Sequence, residues 1–291
     1  ATTTIAIGKK NRIEIKEEIN FPHSLGLLYS AVTFYLGFKV NSGEYKVMGL
    51  APYGTPKYKD LILEKLLDLK DDGSFKMNMN YFDYATGLKM TNQKFSNLFG
   101  RKRREPEIEQ LDQFHMDIAA SVQAVTEEIV LRISKYIKDK YKLKNFCMSG
   151  GVALNCVANG VILRKKIFEN IWIQPASGDA GGSLGAAQAF WFDELNNTRN
   201  SGKDTMNGSY LGPCFSNKEI NIELSKIGAN FIELSEEKLL NEVSKKLSEG
   251  NAVGWFQGRM EFGPRALGCR SIIADPRNKK MQKQLNLKVK F

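Results

Sequence analysis

Two successive segments each run from a short apolar stretch into a glycine-rich turn and then into a helix, and this repetition limits the fold more than any other feature of the 291 residues. Asn145-Phe-Cys-Met148 enters Ser149-Gly-Gly-Val152. Ile171-Trp-Ile-Gln174 enters Ala176-Ser-Gly-Asp-Ala-Gly-Gly-Ser183, ahead of an apolar helix from Leu184 to Phe192. Strand, glycine loop and helix, taken twice in a row, predict an α/β layer with a partly parallel sheet. Both loops should then open at the same end of one sheet, where α/β proteins bind ligands.

The remaining pattern fills in around this layer. Ile118, Val122, Val125, Ile129, Ile133 and Ile137 recur every three or four residues, which predicts a long amphipathic helix from Met116 to about Lys140. Thr2 to Ile19 reads as a hairpin about Gly8-Lys-Lys-Asn11, and Ser24 to Tyr35 as a helix stopped at Gly37. A loop is expected over 41–54, a helix over Tyr58 to Leu69, and an irregular insertion over 71–100. The polar run Asn196 to Gly208 reads as a linker. Beyond it come helices near Asn217 to Lys226 and Glu236 to Leu247, and a strand over Ala252 to Phe256. The expected division is a domain over 1–195, a linker over 196–208 and a second domain over 209–291. That second domain reads as cut short, because Leu287-Lys-Val-Lys-Phe291 ends without a polar tail or stop signal.

Composition narrows the chemistry. Hydrophobic content of 42% with 25% charged residues fits a folded protein. No run approaches the ~18 to 20 apolar residues of a membrane span, and the N-terminus lacks a signal peptide's regions, so no membrane partner is expected. Cys147, Cys156, Cys214 and Cys269 stand far apart without a CxxC pair, which argues against a zinc ribbon or disulfide framework and fits a cytoplasmic location. With only His23 and His115, a histidine-rich metal site cannot be assembled from these residues alone. The net charge of +10 suits anionic ligands. Its densest run, Arg101-Lys-Arg-Arg104, reads as a solvated loop or as an anion or RNA contact.

Several motifs could carry chemistry. Gly258-Arg-Met-Glu-Phe-Gly-Pro-Arg-Ala-Leu-Gly-Cys-Arg-Ser271 sets Arg259, Arg265 and Arg270 among glycines, a pattern suited to gripping oxyanions, with a basic surface turn as the plainer alternative. In Ser149-Gly-Gly-Val-Ala-Leu-Asn155, Gly150 and Gly151 could cradle a phosphate and Asn155 read a ribose or base; a tight packing turn would need the same glycines. In the second loop Gly178 precedes Asp179, which could hold a divalent cation or act as an N-cap. His23 could serve as a base, metal ligand or phosphate donor, or pack beside a capping Ser24. Gly43 and Glu44 suit ribose hydroxyls or a plain turn, and His115 reads as a packing or capping residue. No G-x-S-x-G elbow, Walker loop or HExxH is present, which argues against hydrolysis through a protein nucleophile.

Taken together, Phe21-Pro-His-Ser-Leu-Gly26, Gly43-Glu-Tyr-Lys-Val-Met-Gly-Leu-Ala-Pro-Tyr-Gly54, the two glycine loops and Gly258 to Gly268 closely resemble the nodulation-type O-carbamoyltransferases, in the family's order. The resemblance implies an actin-like, sugar-kinase ATPase-type lobe followed by the start of a YrdC-like α/β domain. It implies ATP-dependent transfer of a carbamoyl group from carbamoyl phosphate, through carbamoyl-adenylate, to a hydroxyl of a small acceptor. It assigns Asp179 to a divalent metal, iron-type or else Mg or Mn. Gly43, Gly151 and Asn155, with Glu44, fall where related enzymes hold the adenylate. Arg259, Arg265 and Arg270 become contacts for carbamoyl phosphate or ATP, Arg265 foremost.

Family members also carry an upstream histidine pair and a downstream arginine- and phenylalanine-rich stretch that this sequence lacks. The expectation is therefore an internal portion of a longer enzyme, inactive alone and exposing apolar surface. Expected partners are carbamoyl phosphate, ATP and a hydroxylated acceptor, without nucleic acid. The alternatives are an RNA-binding component of a tRNA threonylcarbamoyl-type modification system and a metabolite sensor without turnover.

Overall fold

Ser24 is the residue from which the first core helix starts: its Oγ accepts from Leu27 N at 3.2 Å, and α1 runs Leu25–Tyr35. The computed structural model describes residues 1–199 and 204–286, in two compact units, Ala1–Arg199 and Asn200–Phe291. In the first unit an antiparallel hairpin, β1 (Thr3–Lys9) and β2 (Arg12–Ile19), precedes α1 as the sequence predicts. Gly37, at φ +77°, ends the helix in a conformation that favours glycine.

The next segment departs from the expected loop. It holds α2 (Glu44–Leu50) and a 3₁₀ turn over Ala51–Tyr53. Gly49 and Pro52 read as breakers, yet Pro52 sits in the first turn of that 3₁₀ segment, where its missing N–H is not needed. Val47 and Leu50 are buried, and a Cβ on Gly54 would stand 2.0 Å from Met116 O, so packing fixes a segment that propensity leaves open. The helix expected over 58–69 is also shorter. A single turn, α3 (Lys59–Leu61), passes into a π turn over Ile62–Leu66, and β3 (Leu67–Leu69) then pairs antiparallel with β4 (Phe75–Met77). The expected irregular insertion therefore contains regular structure, including α4 (Gln93–Leu98), capped by Asn92.

The long helix α5 (Gln113–Tyr141) is the scaffold of this unit. Asp112 and His115 close a capping box at its start, which is the role expected for His115. Ile118, Val122, Val125 and Ile129 form its fully buried stripe, each side chain contributing about 1.5–3 kcal/mol by leaving water. The parallel pair β5 (Asn145–Met148) and β6 (Asn170–Ile173) follows, in register from Asn145 opposite Asn170 to Met148 opposite Ile173. α6 (Cys156–Arg164) lies between them in sequence. α7 (Ala180–Ala189) starts four residues before the expected Leu184 and continues as a π turn to Glu194. Gly181 permits that early start, since a Cβ there would lie 2.0 Å from Ala176 O.

In the second unit α8 (Asn217–Lys226) and α9 (Glu236–Ser248) match their predicted positions. β7 (Val253–Phe256) pairs antiparallel with β8 (Arg270–Ile273), which the sequence reading did not foresee, and α10 (Met281–Leu285) comes last. Part of the expected linker is folded: Asp204 accepts from Met206 N and Gly208 N, at 2.9 and 2.6 Å. Residues 200–203 of that linker, and the expected abrupt end over 287–291, lie outside the described residues. Among the described residues no helix is long and apolar enough to cross a membrane.

Candidate functional site

Parallel pairing sends both glycine loops out at the same end of β5 and β6, and the structure ties them together there. Gly150 N donates to Ser177 O at 2.7 Å, while Gln174 N donates to Met148 O at 3.1 Å. Gly150 has φ +96° and ψ 162°, a conformation left to glycine. A Cβ on Gly150 or Gly151 would meet no atom within 4 Å, so this face of the loop is open. Asn155 ends the turn by capping α6, its Oδ1 accepting from Ala158 N at 3.1 Å. Its amide is only 8% exposed and pairs both ways with Gln123, at 2.9 and 3.2 Å. Tyr29 OH donates to the same Gln123 at 3.1 Å. Both ends of the Asn155 amide are thus engaged within the protein, and Gln123 is a bracing residue that its plain helical position concealed.

The second loop brings Ser177, Gly178 and Asp179 to the start of α7. Ser177 is 3% exposed, and its Oγ has no hydrogen-bond partner among the described residues. The Asp179 carboxylate is exposed and makes no capping bond, since the residue itself already has helical φ and ψ. Among the described residues no group of three or more His, Cys, Asp or Glu side chains is placed to hold a metal ion.

The first helix reaches this neighbourhood. A Cβ on Gly26 would lie 3.6 Å from Val152 Cγ2, so the first turn of α1 abuts the turn after Gly151. His23 Nδ1 accepts from Met77 N at 3.0 Å, which places the proton of the neutral ring on Nε2 and leaves that nitrogen a donor. Gly43 and Glu44 brace α2. A Cβ on Gly43 would meet Lys39 O at 2.7 Å, and Glu44 Oε1 accepts from Ser30 Oγ and Asn41 N at 2.8 and 2.9 Å. Asp117, which sequence reasoning passed over, holds the end of the Gly43 to Gly54 motif by accepting from Thr55 N, Gln113 Nε2 and Lys57 Nζ at 2.9, 2.8 and 2.7 Å. Burial works to raise its pKa, but the bonds from Lys57, Thr55 and Gln113 outweigh it and hold the carboxyl at about 2.

The basic run is not wholly solvated: Lys102 is exposed, while its three arginines turn onto the protein. Arg101 pairs with Glu109 and Asp112. Arg103 lies over the Phe34 ring at 4.3 Å, and Arg104 Nε and Nη1 donate to Glu109 O and Leu36 O at 2.9 and 3.2 Å. Arg103 Nε, donating to Phe34 O at 2.8 Å, and Arg104 thus meet carbonyls at the C-terminal end of α1, where the helix dipole favours positive charge.

In the second unit the arginine loop connects β7 to β8 and is sewn to residues 209–213. Phe262 N donates to Ser209 O at 2.6 Å, Gly212 N to Met260 O at 2.9 Å, and Tyr210 OH to Leu267 O at 3.0 Å. Arg259 is exposed and donates through Nη1 to Gly212 O at 2.7 Å, while Arg265 is half-buried. Arg270 faces inward to the buried Glu261, Nε to Oε2 at 2.8 Å. Burial works to raise the Glu261 pKa, but the bonds from Arg270 and from Leu267 N and Cys269 N hold it at about 2.

Residues 1–188 match the family described as carbamoyltransferase N-terminus. The chain belongs to the carbamoyltransferase family. Residues 244–291 match the corresponding carbamoyltransferase C-terminus description. An uncharacterized Synechocystis protein, sll1178, is 60% identical over all of this chain and 48% of its own length. Nodulation protein NolNO of Sinorhizobium fredii is 35% identical over all of the chain and 40% of its own length. NolO of Bradyrhizobium diazoefficiens is 34% identical over 95% of the chain and 48% of its own length. The chain thus spans about half the length of these relatives. Carbamoyltransferases are enzymes of the transferase class, as the motifs led us to expect.

Proposed function

We propose that the protein containing this chain is an ATP-dependent O-carbamoyltransferase, with the first unit an actin-like, sugar-kinase ATPase-type lobe and the second the start of a YrdC-like domain. The observation that carries the proposal is the joint between the glycine loops. Gly150 N on Ser177 O fixes two turns beside the α7 N-terminus, with open space at Gly150 and Gly151 and an orphaned Ser177 hydroxyl. These residues fit a phosphate, because backbone donors and a helix N-terminus favour an anion and a buried hydroxyl without a partner is costly, about 1–3 kcal/mol.

In this reading the backbone donors of Gly151 and Gly178 hold the adenylate phosphate, while Gly150, whose own N–H is spent on Ser177 O, fixes the turn and leaves room for it. Asn155 keeps the first loop in shape by capping α6, and Gly43 and Glu44 set α2 beside it. His23 donates through Nε2 to an oxyanion. Arg265 and Arg259 meet the phosphate donor in the second unit. Carbamoyl phosphate, ATP and one water yield carbamoyl-adenylate, phosphate and pyrophosphate; the acceptor hydroxyl then attacks the carbamoyl carbon, and AMP leaves with the proton passing to solvent. Asp179 would supply one ligand to a divalent ion, which could stabilise phosphate charge. The described residues provide no coordination set around it, so no step is routed through a metal.

The test uses the full gene product with carbamoyl phosphate, ATP and a panel of hydroxylated sugars and metabolites. Release of AMP that requires both carbamoyl phosphate and an acceptor is the expected result. No acceptor-dependent AMP across the panel would reject the proposal.

A further inference from the structure

The loop between β7 and β8 contains a buried carboxylate to which the proposed chemistry gives no task. Glu261 is 4% exposed. Its Oε1 accepts from Leu267 N and Cys269 N at 2.7 and 2.8 Å, and its Oε2 accepts from Arg270 Nε at 2.8 Å. Arg270 returns to the start of the same segment, donating through Nη2 to Glu261 O at 3.1 Å and to Gly263 O at 2.9 Å. One residue at the head of the segment is therefore bonded to three at its tail, which closes residues 262–269 into a ring. Gly263 at φ +140° and Gly268 at φ +118° supply the backbone turns this closure needs. Arg265 lies in the middle of the ring.

The geometry gives Arg270 a task within the loop. A guanidinium whose Nε and Nη2 already serve a carboxylate and two carbonyls has little fork left for a second anion. Removing either partner would leave the other charge buried or half-buried without its counterpart, so the two act as a unit. A binding loop ordered in advance also avoids the entropy of ordering it on each encounter with ligand.

We propose that Glu261 and Arg270 are a positioning pair that holds residues 262–269 in the shape presenting Arg265 to the oxyanions of the phosphate donor, so that Arg270 frames the loop and Arg265 binds. The inference rests on the reading of this loop as the carbamoyl-phosphate site. Glu261→Gln can keep its one oxygen for Leu267 N and Cys269 N only by turning the amide NH2 toward Arg270, donor against donor. Arg270→Lys keeps the charge and loses the fork.

Both variants are to be made in the full gene product, with steady-state kinetics and amide hydrogen exchange at Leu267 and Cys269. The expected result is a rise of about tenfold or more in KM for carbamoyl phosphate with kcat held within about twofold. KM for the hydroxylated acceptor should stay unchanged, the two amides should exchange faster, and the double variant should be no worse than either single one. Activity that falls only in proportion to the folded fraction, with KM unchanged, overturns the positioning role. Turnover that Arg265→Ala abolishes and Glu261→Gln leaves untouched overturns this inference alone. A parent protein that consumes no carbamoyl phosphate overturns the donor-site reading and this inference with it.

Discussion

Asp117 and Glu261 are carboxylates drawn out of water, and each organises the backbone of a sequence motif by accepting two N–H or amide bonds beside one cation. Their pKa values are held at about 2, below those of the unfolded chain, which lie near about 4. Depressed values of this kind add stability that is fully present above the unfolded pKa and is lost as pH falls toward the folded one. The urea midpoint should therefore drop between about pH 4 and pH 2, and Asp117→Asn should flatten part of that slope. A midpoint constant across the interval in the parent chain would contradict the assignment. Glycine substitutions separate packing from binding at the same scale. Gly54→Ala would force a Cβ to 2.0 Å from Met116 O and should lower Tm by several degrees, whereas Gly151→Ala meets open space and should leave Tm within about a degree while weakening AMP binding. Equal Tm losses in the two variants would undo the distinction. Sequence alone shows which glycines belong to motifs. Which of them face solvent and which face a helix backbone depends on contacts between segments some sixty residues apart, as for Gly54 and Met116.

At the scale of elements, the strongly periodic segments were the legible ones. α5 shows its stripe in the spacing of isoleucine and valine, and the two glycine loops announce the parallel pair that joins them. α2 was not legible, because seven residues containing Gly49 give little local signal and burial of Val47 and Leu50 decides the outcome. β8 was hidden for a related reason: Arg270 and Ser271 read as the tail of a motif, and their pairing with β7 crosses the whole arginine loop. Of the candidate site, the loops and His23 were readable from residue types. The supporting set of Gln123, Asp117, Ser177 and Glu261 was not, since each gains its meaning from a partner on another element. Asn155 offers a check on how much that support matters. Asn155→Ala removes the α6 cap, worth about 1 kcal/mol, and two hydrogen bonds to the Gln123 amide, worth about 0.5–1.5 kcal/mol each, while Gln123 keeps Tyr29 and Glu127 as partners. Chemical denaturation should register a combined loss of about 2–4 kcal/mol, and a change below about 0.5 kcal/mol would mean that the amide pair is not formed in solution.

Across the whole molecule, burial is unevenly divided between the two units. The first contains side chains wholly withdrawn from water on several elements, among them Leu28, Val32, Ile62, Phe95, Ile118 and Ile129. In the second, the buried apolar residues among those described are Met206 and Met281, and α8 and α9 bury none of their residues. Ile227 and Ile232 are instead 74% and 78% exposed. Apolar area removed from water is the main term opposing local opening, so the second unit should open at far smaller free energy than the first. Amide exchange on the 291-residue chain measures this directly. The amides of α8 and α9 should exchange at least about a hundredfold faster than those in the middle of α5, where both the helix bonds and the apolar stripe must be broken together. The Gly150 to Ser177 joint should fall with the protected set, because it is anchored on β5 and β6 and on the α6 cap. Protection of α8 and α9 equal to that of α5 would show that this unit has a core the burial pattern does not reveal, and would remove the ranking of the two units.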